Sequence, residues 1–294
     1  MSQAQLDALL ALFRKYPFDP AVGEGPRRRL MDRMGEVFAP PPQVAVEPVA
    51  LGGVPAERLT ASADGPALLY LHGGGYVTGS VASHRHLGGL LAAEMQGTVH
   101  VLDYRLAPEA PFPAPLDDAV AAWRALAAER GGRPAGIAGD SAGGGLAFAT
   151  ALRCRAAGLP MPNCIVGLSP WVNLGTESES YDKLGPLDPT LSREAAAWYA
   201  DRYLAGADPR DPMASPLFAD LAGLPPVLIQ VGDREVFFGD AASMHQSLLA
   251  AGVEARLSVW QRMFHAWHLS WPQLDEGRAA LAEAAAFIRE SLSA

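Results

Sequence analysis

The 294-residue chain predicts an α/β protein, a mostly parallel sheet with helices on both faces. Three observations lead there. Short apolar runs of strand length recur at 67–71, 98–102, 135–138, 164–168 and 227–231. Stretches whose apolar residues recur at helical spacing separate most of them. One junction, Gly139-Asp140-Ser141-Ala142-Gly143-Gly144, fits G-x-S-x-G, in which a serine stands on a sharp turn between a strand and a helix.

The elements follow in order. Leu6, Leu9, Leu10 and Phe13 share one helical face, and Pro17 and Pro20 end that helix. A second helix is predicted over 27–38, stopped by Pro40-Pro41-Pro42. Both precede any strand, so they are candidates for a cap over one end of the sheet. Residues 44–49 and 54–59, joined by Gly52-Gly53, are polar enough to read as edge strands. After the strand at 67–71, helix (83–96), strand (98–102), helix (116–130) and strand (135–138) alternate. Beyond the serine turn come a helix over 146–153, strands at 164–168 and 227–231, a helix over 240–249 and a last strand at 255–260. Between Leu174 and Leu221 no strand pattern occurs, only a helix near 192–203, which is too long for an ordinary connection. It reads as an insertion, a second part of the cap. The expected division is 1–42 cap, 43–174 core, 175–221 inserted cap and 222–294 core.

Composition narrows the class. The chain is 49% hydrophobic and 19% charged, enough for a sizeable core. A net charge of -9 argues against nucleic acid and anionic membrane as partners. Arg27-Arg28-Arg29 reads as an isolated, solvated helix face. Two cysteines, Cys154 and Cys164, are too few for a disulfide framework and predict buried thiols in a reducing compartment. The longest apolar run near the start, 8–13, is too short for a signal peptide or a membrane span. A soluble cytoplasmic protein is expected.

The chemistry gathers around Ser141. At the start of a helix, the amide of Ala142 points at negative charge developing nearby. His72-Gly73-Gly74-Gly75-Tyr76 directly follows the strand at 67–71 and has the form of a loop whose amides converge on an oxyanion. It lacks the Lys-Ser/Thr of a phosphate loop and the spacing of a dinucleotide fingerprint. His72 is read as holding this loop. A base and an acid should follow the serine, in the order Ser, acid, His. Three of the seven histidines do: His245, His265 and His268. His245 falls inside a helix. His265 and His268 follow the last strand, at the sheet edge where the serine turn opens, and His265 is the better placed. Asp233, Glu235 and Asp240 follow the strand at 227–231 and are the candidate acids.

These residues resemble the hormone-sensitive-lipase family of α/β-hydrolase esterases. The resemblance rests on His72-Gly73-Gly74-Gly75, on Tyr104-Arg105-Leu106-Ala107-Pro108-Glu109 with Phe112-Pro113, and on Gly139-Asp140-Ser141-Ala142-Gly143-Gly144. Ser169-Pro170-Trp171 and Ser215-Pro216-Leu217 add to it. It implies an eight-stranded hydrolase sheet, a cap from the N-terminus and the insertion, no cofactor and no metal. Many members carry Asp-Pro-Leu at the acid; this chain reads Gly232-Asp233-Arg234-Glu235-Val236-Phe237. Counting back from Ala250-Ala251-Gly252 places Glu235 at the acid position, ahead of the alternative Asp233.

The expectation is a serine carboxylesterase acting on a small-molecule ester. Ser141, Glu235 and His265 would form the triad. Gly73, Gly74, Gly75 and Ala142 would supply the oxyanion amides, and His72 would support the loop. Amide or lactone hydrolysis on the same triad, or binding without catalysis, are the alternatives. Family resemblance also implies short acyl chains and a homodimer formed through the last strand, around 256–260, an edge open to pairing. Leu9, Phe13, Trp198 and Leu204 are the expected apolar contributors of the cap.

Overall fold

The computed structural model describes residues 3–293. Its strands are β1 (Ala45–Leu51), β2 (Val54–Thr60), β3 (Ala67–Leu71), β4 (Thr98–Leu102), β5 (Ala135–Asp140), β6 (Ile165–Leu168), β7 (Val227–Gly232) and β8 (Ala255–Trp260). They form one eight-stranded sheet in the order β1-β2-β4-β3-β5-β6-β7-β8. β2 runs antiparallel to β1 and β4; every other pairing is parallel. β1 is an edge, as its polarity predicts. β2 is not, which corrects the expectation: it lies between β1 and β4. Its charges are matched across the surface instead. Arg58 pairs with Glu47 of β1 at 2.6 Å, and Glu57 pairs with Arg85.

The helices are α1 (Gln3–Phe13), α2 (Glu24–Glu36), α3 (Val81–Met95), α4 (Ala114–Arg130), α5 (Ala142–Ala156), α6 (Ser180–Leu184), α7 (Arg193–Leu204), α8 (Phe238–Ala250) and α9 (Asp275–Ser293). α2 starts three residues before the expected 27, because Pro26 is tolerated in a first turn that needs no intrahelical N–H bond. α3 is closed by a capping box between Ser80 and Ser83.

The two-residue period of a strand sorts the core into two layers. Leu69 and Leu71 of β3 face a layer with Leu116 and Trp123 of α4, Leu146 of α5 and Met244 of α8. Leu68 and Tyr70 face the other, with Leu87 and Leu91 of α3 and Leu281 and Ile288 of α9. A third, smaller cluster joins Leu6 and Leu9 of α1 to Met263, Phe264 and Trp267. Cys154 and Cys164 are buried free thiols, pushed by burial to about 11 and about 12.

Between β6 and β7 the described chain holds α6, α7 and a 3₁₀ turn (Pro216–Phe218), with no strand. The Ser215 hydroxyl accepts the amide of Leu174 at 2.8 Å and closes this insertion back on the sheet. α7 meets the N-terminal segment: Arg202 binds Glu24 at 2.5 Å, and Trp198 packs edge-on against Phe18. Arg27-Arg28-Arg29 is not merely a solvated face. Arg28 donates to the carbonyls of Val77 and Ala107, each at 2.8 Å, and pairs with Glu109 at 2.7 Å. The Arg27 guanidinium lies 4.3 Å over the Phe18 ring.

Candidate active site

β5 delivers the chain to Ser141, whose φ of 51° and ψ of -122° mark the sharp turn into α5. Such a conformation costs a non-glycine residue about 1–3 kcal/mol, so its surroundings must impose it. They do: the Ser141 amide donates to Leu168 at 2.9 Å, and its carbonyl accepts from Trp171 at 2.8 Å and Gly145 at 3.2 Å. The helix that follows lies hard against β3. A Cβ on Gly143 would come within 1.9 Å of the Leu71 carbonyl oxygen, so only glycine fits. Ser141 is left 8% exposed at the carboxyl edge of the sheet.

The loop after β8 brings His265 to the same place. His265 Nε2 stands 2.9 Å from Ser141 Oγ, and Nδ1 stands 3.0 Å from Glu235 Oε2. A carboxylate only accepts, so Nδ1 carries the proton and Nε2 is the acceptor for the serine hydroxyl. The other Glu235 oxygen accepts the Gly232 amide at 3.0 Å. Glu235 is fully buried, and burial raises its carboxyl above the ordinary range against the pull of His265. Burial alone would lower His265. The hydrogen bond and charge of Glu235, with the charges of Asp188 and Asp140, outweigh it and hold the imidazole above its ordinary value.

The other candidates have different partners. Asp233 Oδ1 accepts the Arg262 amide at 2.6 Å. Asp240, in the first turn of α8, accepts from Asn173 at 3.2 Å. His268 is fully buried against Gln230 Oε1 at 3.1 Å, and His245 reaches the Ala255 carbonyl at 3.3 Å.

The glycine loop corrects one expectation. The Gly73 amide is already used: it donates to Asp140 Oδ1 at 3.0 Å and is not available to an oxyanion. The amides of Gly74 and Gly75 have no partner among the described residues, and Ala142, first in α5, has no intrahelical one. His72 Nδ1 bonds the Gly73 carbonyl at 2.8 Å, and its ring stacks on Tyr104 at 4.1 Å. The Tyr104 hydroxyl donates to the His72 carbonyl at 2.6 Å. Burial lowers His72 to about 3, so it stays neutral and works as a fixed strut.

Aromatic residues shape what lies around the serine. The Phe237 ring meets His265 edge-on at 4.8 Å and stacks on Trp171 at 5.5 Å. Tyr199 of α7 covers the glycine loop so closely that a Cβ on Gly75 would fall 2.5 Å from its ring. The expected cap residues divide. Leu9 and Phe13 pack with Met263 and Phe264, just ahead of His265. Leu204 belongs to the main core, and Trp198 stands under the Arg202 guanidinium at 3.5 Å.

Three contributors went unread in the sequence. Asp140 was visible inside the serine motif without a task. Ser169, at a φ of 47°, accepts the Ala266 amide at 3.2 Å and steadies the Glu235 carboxylate. Asp188 lies in the insertion, where an Asp-Pro-Thr sequence signals only a turn.

A strained serine between strand and helix, a loop histidine and a glycine loop on an open α/β sheet define a serine hydrolase of the α/β type. Residues 68–269 match the family described as the alpha/beta hydrolase fold, and the chain belongs to that family, within its hormone-sensitive-lipase group. It is 46% identical over 272 residues to an acetyl-hydrolase of Streptomyces hygroscopicus, covering 90% of this chain and 89% of that one. It is 34% identical to an esterase of Acinetobacter venetianus, covering 88% and 87%. Among solved structures it matches an esterase of the bacterial hormone-sensitive lipase family at 40% identity and a TM-score of 0.95, over 99% of both chains. It also matches the esterase EstE5 soaked with p-nitrophenyl butyrate, at 38% identity and a TM-score of 0.94 over both full chains.

Proposed function

We propose that the chain is a serine carboxylesterase that cleaves short-chain acyl esters through an acyl-enzyme. The observation that carries this is the continuous line from Glu235 through His265 to Ser141, with bonds of 3.0 and 2.9 Å. Ser141 Oγ attacks the ester carbonyl carbon as its proton passes to His265 Nε2. Glu235 keeps the tautomer and balances the imidazolium. Charge on the carbonyl oxygen is met by the amides of Gly74, Gly75 and Ala142, each worth about 3 kcal/mol of barrier. The tetrahedral intermediate collapses, the C–O bond breaks and the alcohol leaves with the proton from Nε2. Water then gives its proton to Nε2 and attacks the acyl carbon, and Ser141 leaves with the proton. The cycle uses these side chains, these amides and water.

The two segments at 1–42 and 175–221 are read as one cap, supported by the Arg202–Glu24 pair and the Trp198–Phe18 contact. With Ser141 nearly buried beneath it, a short acyl chain suits the site. The names of the similar acetyl-hydrolase and of the butyrate-ester-soaked structure point the same way. Among the described residues no helix is long and apolar enough to cross a membrane. The two buried thiols favour a cytoplasmic place, and the open β8 edge favours a homodimer, for which light scattering should give twice the chain mass.

Ser141→Ala tests the reading. Hydrolysis of p-nitrophenyl acetate should fall by about 10⁴-fold or more, with unchanged circular dichroism. Near-normal turnover would mean that another group performs the attack.

A further inference from the structure

Asp188 stands in the turn between α6 and α7, 8% exposed. Its Oδ1 accepts the Thr190 amide at 3.0 Å, the Thr190 hydroxyl at 2.7 Å and the Leu191 amide at 3.3 Å. These are ordinary bonds of an Asp-led turn. The rest is not ordinary. Its Oδ2 accepts the amide of Val236, the residue after Glu235, at 3.3 Å. The Thr190 hydroxyl lies 3.3 Å from the carbonyl oxygen of His265 itself. One turn of the insertion therefore touches the loop that carries the acid and the loop that carries the base.

We propose that Asp188 is a positioning residue of the esterase reaction: it locks the Glu235 and His265 loops together and sets a second negative charge behind the imidazolium. This rests on the reading of Ser141, His265 and Glu235 given above. The charged groups facing His265 are Glu235 from the loop after β7, Asp188 from the insertion and Asp140 from the end of β5. Asp140 has its own partner in His84, at 3.3 Å, while Asp188 has amides and a hydroxyl but no Lys or Arg partner among the described residues. Its charge is thus left to act on the imidazole. Burial raises the Asp188 carboxyl, and the charge of His265 and these hydrogen bonds oppose that rise.

The test is the pH profile of kcat and KM on p-nitrophenyl acetate for Asp188→Asn and Thr190→Val. Asp188→Asn should lose about tenfold in kcat with KM within about twofold. Its acid limb should move down by about half a pH unit or more, because a lost negative charge disfavours the imidazolium. Thr190→Val keeps the charge, so its limb should stay in place while kcat falls about two- to threefold. A loss of activity in Asp188→Asn with the limb unmoved would reduce Asp188 to a turn residue and overturn the proposal, as would wild-type behaviour. If Asp188→Asn does not fold, Asp188→Ser replaces it, a neutral side chain that still accepts from the turn amides. Ser141→Ala run beside these separates the two ideas: activity there defeats the triad, while inactivity there with an unshifted Asp188→Asn profile defeats only this proposal.

Discussion

The amide of Gly73 is bonded to the carboxylate of Asp140, the residue immediately before Ser141, at 3.0 Å. The first residue of the glycine loop and the last residue of β5 are thereby tied, and the two halves of the reacting centre are held in one register. The same carboxylate accepts from the Tyr70 hydroxyl at 2.8 Å and from His84 at 3.3 Å, all buried. Asp140→Ala would leave these donors unpaired and free the glycine loop. Its kcat should fall by about 10²–10³-fold with a smaller change in KM, and its Tm should drop. Steady-state rates with a thermal melt check this; a wild-type kcat would show that the loop holds its shape without the carboxylate.

Glu235 and Asp233 give opposite outcomes when neutralised. Glu235→Gln removes the negative charge and leaves one oxygen for two donors, the Gly232 amide and His265 Nδ1, and should cost about 10²–10⁴-fold in kcat. Among the described residues Asp233→Asn touches the bond to the Arg262 amide, and activity should stay within about threefold. Reversal of that order would move the acid to Asp233.

Activity should rise with pH through the His265 titration, since the base must be neutral. Because Glu235, Asp188 and Asp140 outweigh burial and hold that imidazole high, the midpoint of kcat/KM should lie above about pH 6.5. A midpoint well below that value would mean the carboxylates do not act on it.

Stability should follow a different curve. Burial lowers His72 and His268 to about 3, and His86 and His100 to about 4. The unfolded chain binds those protons near pH 6.5 and the folded one does not. Their contribution is therefore present above about pH 6.5 and lost as pH falls toward about 4. Asp140 resists burial through its bonds to His84 and Tyr70, is held at about 2, and removes further stability below about pH 4. His265, Glu235, Asp188, Asp103 and Asp240, the last pushed by burial to about 6, are raised, act in the opposite sense and soften the fall. Calorimetry from pH 7.5 to 4 should show Tm falling throughout; a flat curve would contradict the four buried neutral imidazoles.

Acyl length gives the fifth expectation. Each buried methylene adds about 0.8 kcal/mol until the space beneath the cap is full, and steric cost then dominates. Among p-nitrophenyl esters, kcat/KM should rise modestly from acetyl, peak by hexanoyl and fall steeply beyond. A value still climbing at palmitoyl, or a jump at an oil–water interface, would mean an open groove.

What could be read in advance was what is local. The Ser141 turn, its flanking strand and helix, and the His265 loop after β8 each lie within a few residues, so periodicity and turn chemistry reveal them. Glu235 needed a count along the chain, because Asp233 has the same local surroundings. What escaped reading depends on partners far apart in sequence. Nothing near Gly73 says that its amide is taken by a carboxylate 67 residues away. Nothing in the polar pattern of β2 says that it lies inside the sheet, since strand order belongs to the assembled fold. Arg28 looks like any basic helix residue until α2 docks on the carbonyls of Val77 and Ala107.

Tyr199 rests directly on Gly75, so α7 and the glycine loop are in mechanical contact. Breadth of substrate and speed of turnover are consequently not independent properties of this protein. Trimming Tyr199 to admit bulkier esters would also release the backbone that the proposed mechanism requires to stay rigid. Wider acceptance is easier to reach at Phe237, whose ring borders the histidine, than at Trp171, which also packs on Tyr76 at the end of the glycine loop.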